Sequence, residues 1–282
     1  MIRFADSTMI PALRGIWQEA FGDTSAYTDF FYANRFTGDN TLVWIADGAP
    51  VAMMTLLPAK IQTAEGFYPA QYVYGVATKK QYRGQGLSSA LIRHANNLAD
   101  QRNEALVLVP SSERLFDFYE KNGYRTAFYL KHLVIPAEEG KPKLPDQYTV
   151  ADISAHQYKT LRDERFSQPG YLCWDEASLD YCLRENAFTG GQCVKISFPS
   201  HDTEYALMYY ISNKTLFVKE TTLDEESILP ILSDFAHRMG CDHIHARLPE
   251  WFDMPLARKP FGMLYAKNPL QASFPYLNLV LD

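Results

Sequence analysis

The chain has 282 residues, 47% of them hydrophobic and 21% charged. This excludes a disordered or fibrous protein and allows one large domain or two of ordinary size. The formal net charge of −6 argues against a general nucleic-acid binder, whose footprint is basic. No apolar run is long enough to cross a bilayer, and the opening MIRFADS lacks the apolar segment of a secretion signal, so the expected location is cytoplasmic, away from membranes.

In chain order, the pattern predicts a short strand at Ile2–Ala5, an amphipathic helix over Met9–Phe21 and a second helix over Tyr27–Phe36. Two strands follow, NTLVWIADG and APVAMMTLLPAKIQ, joined at Gly48 as a hairpin. QYVYGVAT is a further strand, and a glycine-containing turn leads from it into a helix ending near Asn103. EALVLVP reads as a buried strand, SERLFDFYEKNG as a helix and YRTAFYLKHLVI as a strand.

The segment IPAEEGKPKLPDQY, rich in proline and charge, reads as a linker. It divides the chain into domains at 1–137 and 148–282, with 138–147 between them. The second part opens with YTVADIS, comparable to IRFADST, and a helix again follows. RENAFTGGQCVKI echoes YANRFTGDNTLVW, with Asn186, Phe188, Thr189 and Gly190 matching Asn34, Phe36, Thr37 and Gly38. The strands EYALMYYIS and TLFVKETT meet at Asn213-Lys214, a helix runs from Asp224 to about Met239, and DHIHARL supplies another strand. Repeated element order with a local echo points to duplication. The copies differ at one place. After VAT the first inserts KKQYRGQG before its helix, whereas after ETT the second passes through Leu223 directly to Asp224, a good N-cap.

The cysteines, Cys173, Cys182, Cys193 and Cys241, show no Cys-x-x-Cys pairing and read as reduced thiols. His243 and His245 alternate on one strand face, but without neighbouring ligands they are not read as a metal site.

The inserted turn carries the candidate chemistry. A helix start leaves N–H groups unpaired and partly positive, and glycine lets that backbone approach a phosphate closely. Gly84 and Gly86 precede the helical face Leu87, Ala90, Leu91, Ala95 and Leu98, and Arg83 adds a fixed charge suited to phosphate. The bland alternative is a connector whose basic residues are merely solvated. A Walker loop is excluded because the turn continues Gly-Leu-Ser rather than Gly-Lys-Ser/Thr. A dinucleotide fingerprint needs a third glycine and opens the first unit of a parallel sheet, which this does not.

Gln81-Tyr82-Arg83-Gly84-Gln85-Gly86 resembles the Gln/Arg-x-x-Gly-x-Gly/Ala signature of the GNAT (N-acetyltransferase) superfamily, and FYEKNGY is similar to that family's later helix-to-strand motif. The tandem arrangement resembles the bacterial group related to the enhanced intracellular survival acetyltransferases, although the chain looks too short for that group's complete third, sterol-carrier-like domain. The resemblance implies an α+β fold of two tandem GNAT-like domains, each a mixed, mostly antiparallel sheet flanked by helices, the second degenerate.

It also implies acetyl-CoA as co-substrate. Its pyrophosphate would lie on the N–H groups of Arg83, Gly84, Gln85, Gly86, Leu87 and Ser88. The pantetheine would run beside Val73–Thr78 and bond backbone around Val76 and Thr78. That strand splays from EALVLVP in the family, and Ser112 and Glu113 resemble a further contact. Direct transfer to a primary amine of a small molecule or peptide would need amides near Val76 and Ala77 for the oxyanion and a proton donor for the thiolate. Tyr119 matches the family's tyrosine acid, while Leu115, Phe118 and Tyr119 at i, i+3 and i+4 are equally a core face. In related tandem enzymes the C-terminal carboxylate reaches the site. Here that would be Asp282, at the end of FPYLNLVLD, which could instead close the second sheet as an edge strand. YTDFFYANRF lies where the acceptor pocket forms in the family, and aromatic rings suit a cation, though core packing explains them equally. The rival readings are a non-catalytic CoA sensor and a tRNA-dependent aminoacyl transferase. The acceptor and the oligomeric state, a homo-oligomer included, stay open.

Overall fold

The structure is a computed structural model that describes residues 1–137, 147–200, 202–268, 270 and 275–279. The chain divides into two units: Met1–Ile61, Phe67–Thr126 and Gly262–Leu270 form the first, and Gln62–Gly66, Ala127–Phe261 and Gln271–Asp282 the second. Most of the linker expected at 138–147, and Asp282 with it, lies outside the described residues. Among the described residues no helix is long and apolar enough to cross a membrane.

The first unit runs β1 (Ile2–Phe4), α1 (Ile10–Phe21), α2 (Ser25–Arg35), β2 (Thr41–Ala46), β3 (Ala49–Thr63), β4 (Gly66–Thr78), α3 (Leu87–Arg102), β5 (Ala105–Leu108) and α4 (Glu113–Glu120). β1 to β5 lie in sequence order. β2 and β3 meet at Asp47 and Gly48, both with positive φ, as a two-residue hairpin turn requires. β4 and β5 are parallel, and pairing is confined to Ala70–Tyr72 against Ala105–Val107. Among the described residues the ladder between the two strands does not continue beyond Tyr72 toward Thr78. β4 begins at Gly66, five residues before the expected QYVYGVAT, because Pro69 breaks the strand pattern in the sequence. Leu91, Ile92, Ala95 and Ala99 of α3 pack with Leu42, Met54, Leu106 and Leu108 in the core under the sheet.

The second unit contains most of β6 (Arg125–Pro136), then β7 (Thr149–Asp152), α5 (Ala155–Phe166), β8 (Leu172–Cys173), α6 (Glu176–Phe188), β9 (Gln192–Phe198), β10 (Thr203–Ser212), β11 (Thr215–Thr221), α7 (Glu225–Arg238) and β12 (His243–Pro249). Its strand order is β6-β12-β11-β10-β9-β7, with β11 and β12 parallel and the other pairs antiparallel. The succession strand, two helices, three strands, helix, strand therefore occurs twice, with the two-residue β8 interposed between the two helices of the second copy, and each time a parallel pair flanks the last helix. The α+β architecture is two GNAT-like domains in tandem.

Besides the two-residue β8, two longer elements were not foreseen. In α6 the buried set includes Ser178, Glu185 and Asn186, so an apolar period cannot be seen in the sequence. The last strand, β13 (Arg258–Tyr265), contains Pro260 and Gly262, which mask its pattern; Leu264 and its neighbours pair with β5. Of the expected tail strand, Tyr276 forms an isolated bridge to Tyr171, and Tyr276 to Leu279 are buried.

Candidate active site

The parted end of β4, the turn after it and α4 enclose a cavity of about 360 Å³, lined by Val76, Thr78, Tyr82, Arg83, Gly84, Gly86, Leu87, Ser88, Ser89, Leu115, Phe118 and Tyr119. Three local patterns produce it. Strand alternation turns Val76 and Thr78 into the cavity and buries Ala77 on the other side. Gly84 and Gly86 hold φ of 77° and 78°, a left-handed conformation that costs other L-residues roughly 1–2 kcal/mol each. α4 places Leu115, Phe118 and Tyr119 on one face by its 3.6-residue period.

The turn is fixed to the strand end by side chains. Arg83 Nε donates to the Thr78 carbonyl at 2.9 Å, and the Thr78 and Ser88 hydroxyls lie 2.8 Å apart. Tyr82 Oη donates to Asp47 at 3.0 Å, and the Lys80 amide to the Glu19 carboxylate. The sequence offered no signal for these ties, since their partners come from distant elements. Arg83 thus has two tasks: Nε pins the strand, and its terminal nitrogens have no partner among the described residues.

The N-cap of α3 is Gly86, which offers no side chain to the helix start. The first amide to be bonded there is that of Ala90, to the Gly86 carbonyl at 2.9 Å. Those of Gly84, Gln85, Gly86, Leu87, Ser88 and Ser89 have no acceptor among the described residues. A Cβ built on Gly84 or Gly86 would meet nothing within 4 Å. Open space, convergent donors and an adjacent guanidinium fit a diphosphate, so the residues present suit acyl-CoA.

On β4, Gly75 has φ of 61°, and a Cβ there would lie 3.2 Å from the Trp17 ring. The strand therefore bends just before Val76 and breaks its regular alternation beside the cavity. Tyr119 is 7% exposed and belongs to the core with Leu91, Tyr124 and Met263, yet it also lines the cavity. Burial pushes its phenol up to about 12. Its hydroxyl has no hydrogen-bond partner among the described residues.

Of the remaining expected residues, Gln85 is exposed and contributes backbone, and its side chain reaches back to the Gln81 carbonyl at 3.5 Å. Ser112 is the exposed N-cap of α4 and does not line the cavity. Tyr82, Ser89, Leu115 and Phe118 line it without having been singled out as site residues.

Comparison with known proteins bears on the first part of the chain. The model for an acetyltransferase (GNAT) domain matches residues 1–127. This segment is a GNAT acetyltransferase domain. The cavity lies wholly within that segment, an acyltransferase domain whose fold is one that binds acyl-CoA. Solved structures extend the likeness of fold to nearly the whole chain. A conserved protein from Enterococcus faecalis described as a probable N-acyltransferase aligns with a TM-score of 0.76 at 17% identity, over 94% of this chain and 72% of that one. A GCN5-related N-acetyltransferase from Anabaena variabilis gives 0.73 at 17%, over 95% and 73%. Eis1 from Mycobacterium abscessus gives 0.70 at 15%, over 94% and 73%. No curated protein matches the chain in sequence.

Proposed function

We propose that the chain is an N-acetyltransferase moving the acetyl group of acetyl-CoA to a primary amine of a small molecule or peptide, by direct attack in a ternary complex. The observation that supports this reading is that one cavity is lined both by the turn from Arg83 to Ser89 and by Tyr119; the Arg83 amide, expected among the diphosphate donors, is instead taken by the Lys80 carbonyl at 3.3 Å, so the unpartnered amides begin at Gly84. Acetyl-CoA supplies an activated thioester. The amides from Gly84 to Ser88, with Arg83, hold its diphosphate; the unpaired edge of β4 around Val76 and Thr78 holds the pantetheine arm. Amides near Val76 and Ala77 stabilise the oxyanion as the amine attacks. Tyr119 donates a hydrogen bond to the departing sulfur.

Burial keeps Tyr119 protonated throughout the working pH range, which suits a donor. A phenol near 12 facing a thiol near 8.5 opposes outright transfer, so the donor acts through a hydrogen bond that strengthens as charge grows on sulfur. Chemistry belongs to residues 1–137, with Gly262–Leu270 packed into the same unit. Residues 148–282 otherwise form the degenerate domain. Asp282 as general base, Ser112 as a further coenzyme contact and a cytoplasmic location remain part of this reading.

The test combines calorimetric titration with acetyl-CoA and release of free thiol across a panel of primary amines. Binding with turnover on at least one amine is expected. Binding without any turnover would favour a CoA sensor, and no binding would remove both coenzyme readings.

A further inference from the structure

The aromatic rings that line the cavity are not equivalent. Phe118 and Tyr119 sit on α4, meet edge-on with centroids 5.2 Å apart and pack into the core under the sheet. Tyr82 lines the same cavity but has no part in that core, and its ring has no aromatic neighbour among the described residues. It is half-buried, and burial of an apolar interior does not account for it.

Its place is nevertheless built. One short turn of helix over Lys80–Tyr82 carries it. The Lys79 amide donates to the Val51 carbonyl of β3 at 2.9 Å, the Tyr82 amide to the Lys79 carbonyl at 2.9 Å, and the Lys80 amide to Glu19 of α1. At the rim of the ring, Tyr82 Oη donates to Asp47 at 3.0 Å. Asp47 is exposed at the tip of the β2–β3 hairpin, where its φ of 51° suits the turn. The turn explains an aspartate there; it does not explain a phenol reaching it from the cavity wall. A ring anchored at its rim keeps one orientation and leaves its faces for contact.

Strand order tells which end of the cavity this is. β3 and the hairpin tip lie on one side of β4, and β5, with the α4 that follows it, on the other. Tyr82 is tied to the first side and Tyr119 belongs to the second, while the open amides of Gly84 to Ser88 follow the end of β4 itself. In acyl-CoA the diphosphate likewise joins two unlike arms, the thioester-bearing pantetheine and the adenosine. With the thioester at Tyr119 and the diphosphate on the turn, the adenosine is directed toward Tyr82. Resting on the acetyl-CoA reading, we propose that Tyr82 is the platform on which the adenine of acyl-CoA stacks, held in orientation by Asp47. A purine offers an aromatic ring a flat apolar face, and such stacking needs no further hydrogen bond to the base.

The experiment titrates two ligands by calorimetry: acetyl-CoA, and S-acetyl phosphopantetheine, which keeps the thioester arm and one phosphate but has no nucleoside. Tyr82→Leu keeps apolar bulk and removes the aromatic face. It should weaken acetyl-CoA about tenfold and leave the truncated ligand unchanged, which also shows that the site is intact. Tyr82→Phe keeps the ring without its anchor, and Asp47→Gly keeps the positive-φ turn without the acceptor. Each should weaken acetyl-CoA roughly threefold, and the two together no more than either alone, because both break one hydrogen bond. Wild-type affinity for acetyl-CoA in Tyr82→Leu would overturn the platform and leave the coenzyme reading standing. Equal weakening of both ligands would overturn it too, since the ring would then only brace the turn. If the wild type binds neither ligand, the coenzyme reading fails and the platform with it.

Discussion

The two units start an equivalent helix in opposite ways. α3 begins behind Gly86, with no side chain over its first turn and with the amides of the preceding residues unclaimed. α7 begins behind Asp224, whose carboxylate accepts the Ser227 amide at 2.8 Å and also the Tyr205 hydroxyl. Burial pushes the Asp224 carboxyl upward, yet hydrogen bonds from Tyr205 and Ser227 hold it below its ordinary range. The second helix therefore carries its own anion, covalently supplied, where the first offers donors to an external one. The strands before these helices diverge in the same sense. Val76 opens onto the cavity, whereas its counterpart Glu220 is fully buried against Arg162 at 2.8 Å and accepts from Tyr158 and Tyr276. One plan yields an open cleft when its strand end and turn are left open, and a filled, ion-paired interior when they are not.

The largest effect should come from breaking the filled copy. Glu220→Ala strands the Arg162 guanidinium and removes the acceptor of two phenols, and should cost about 3–5 kcal/mol, read as a fall in the urea midpoint. Acetyl-CoA affinity of the protein that remains folded should not change. A matching loss of affinity would show that the second unit does more than support. Next, Gly86→Asp imports the solution used by α7. Aspartate tolerates left-handed φ better than most residues, and its carboxylate would compete for the same amides. Acetyl-CoA should bind about 100-fold more weakly, roughly 2.7 kcal/mol, in calorimetry; undiminished binding would mean that the turn is only a connector.

Tyr119→Phe should lower kcat about tenfold or more and leave acetyl-CoA affinity intact. Because burial lifts the Tyr119 phenol to about 12, its ionisation should not limit activity below about pH 11. The smallest effect concerns His132 in the second unit. Burial, and then Lys259, His245 and Arg247, lower its pKa to about 4. The unfolded chain takes up a proton near 6.5 and the folded one does not, so stability is complete above that pH and falls as pH drops toward 4. His132→Gln should flatten part of that fall in melting curves recorded across the range, and an unaltered slope would remove this source.

Much of the first unit was legible because its strands alternate and its helices are periodic. The turn could be read because Gly84 and Gly86 are required by backbone conformation, which sequence states directly. Asp224 was legible as a cap for the same reason. The ties that set the turn, Thr78 to Ser88 and Arg83 to Thr78, depend on folding that brings side chains of different elements together, and no local spacing announces them. Glu220 and Arg162 were unreadable because a charged pair looks solvated until both partners are seen buried.

The contrast between the two helix starts can be tested in one spectrum. Amide proton–nitrogen resonances of the isotope-labelled protein would be followed as acetyl-CoA is added. The account predicts saturable shifts at Gly84, Gly86, Leu87 and Ser88, with Glu225, Glu226 and Ser227 unmoved. Shifts of equal size at both helix starts, or silence at the first while coenzyme binds elsewhere, would contradict it.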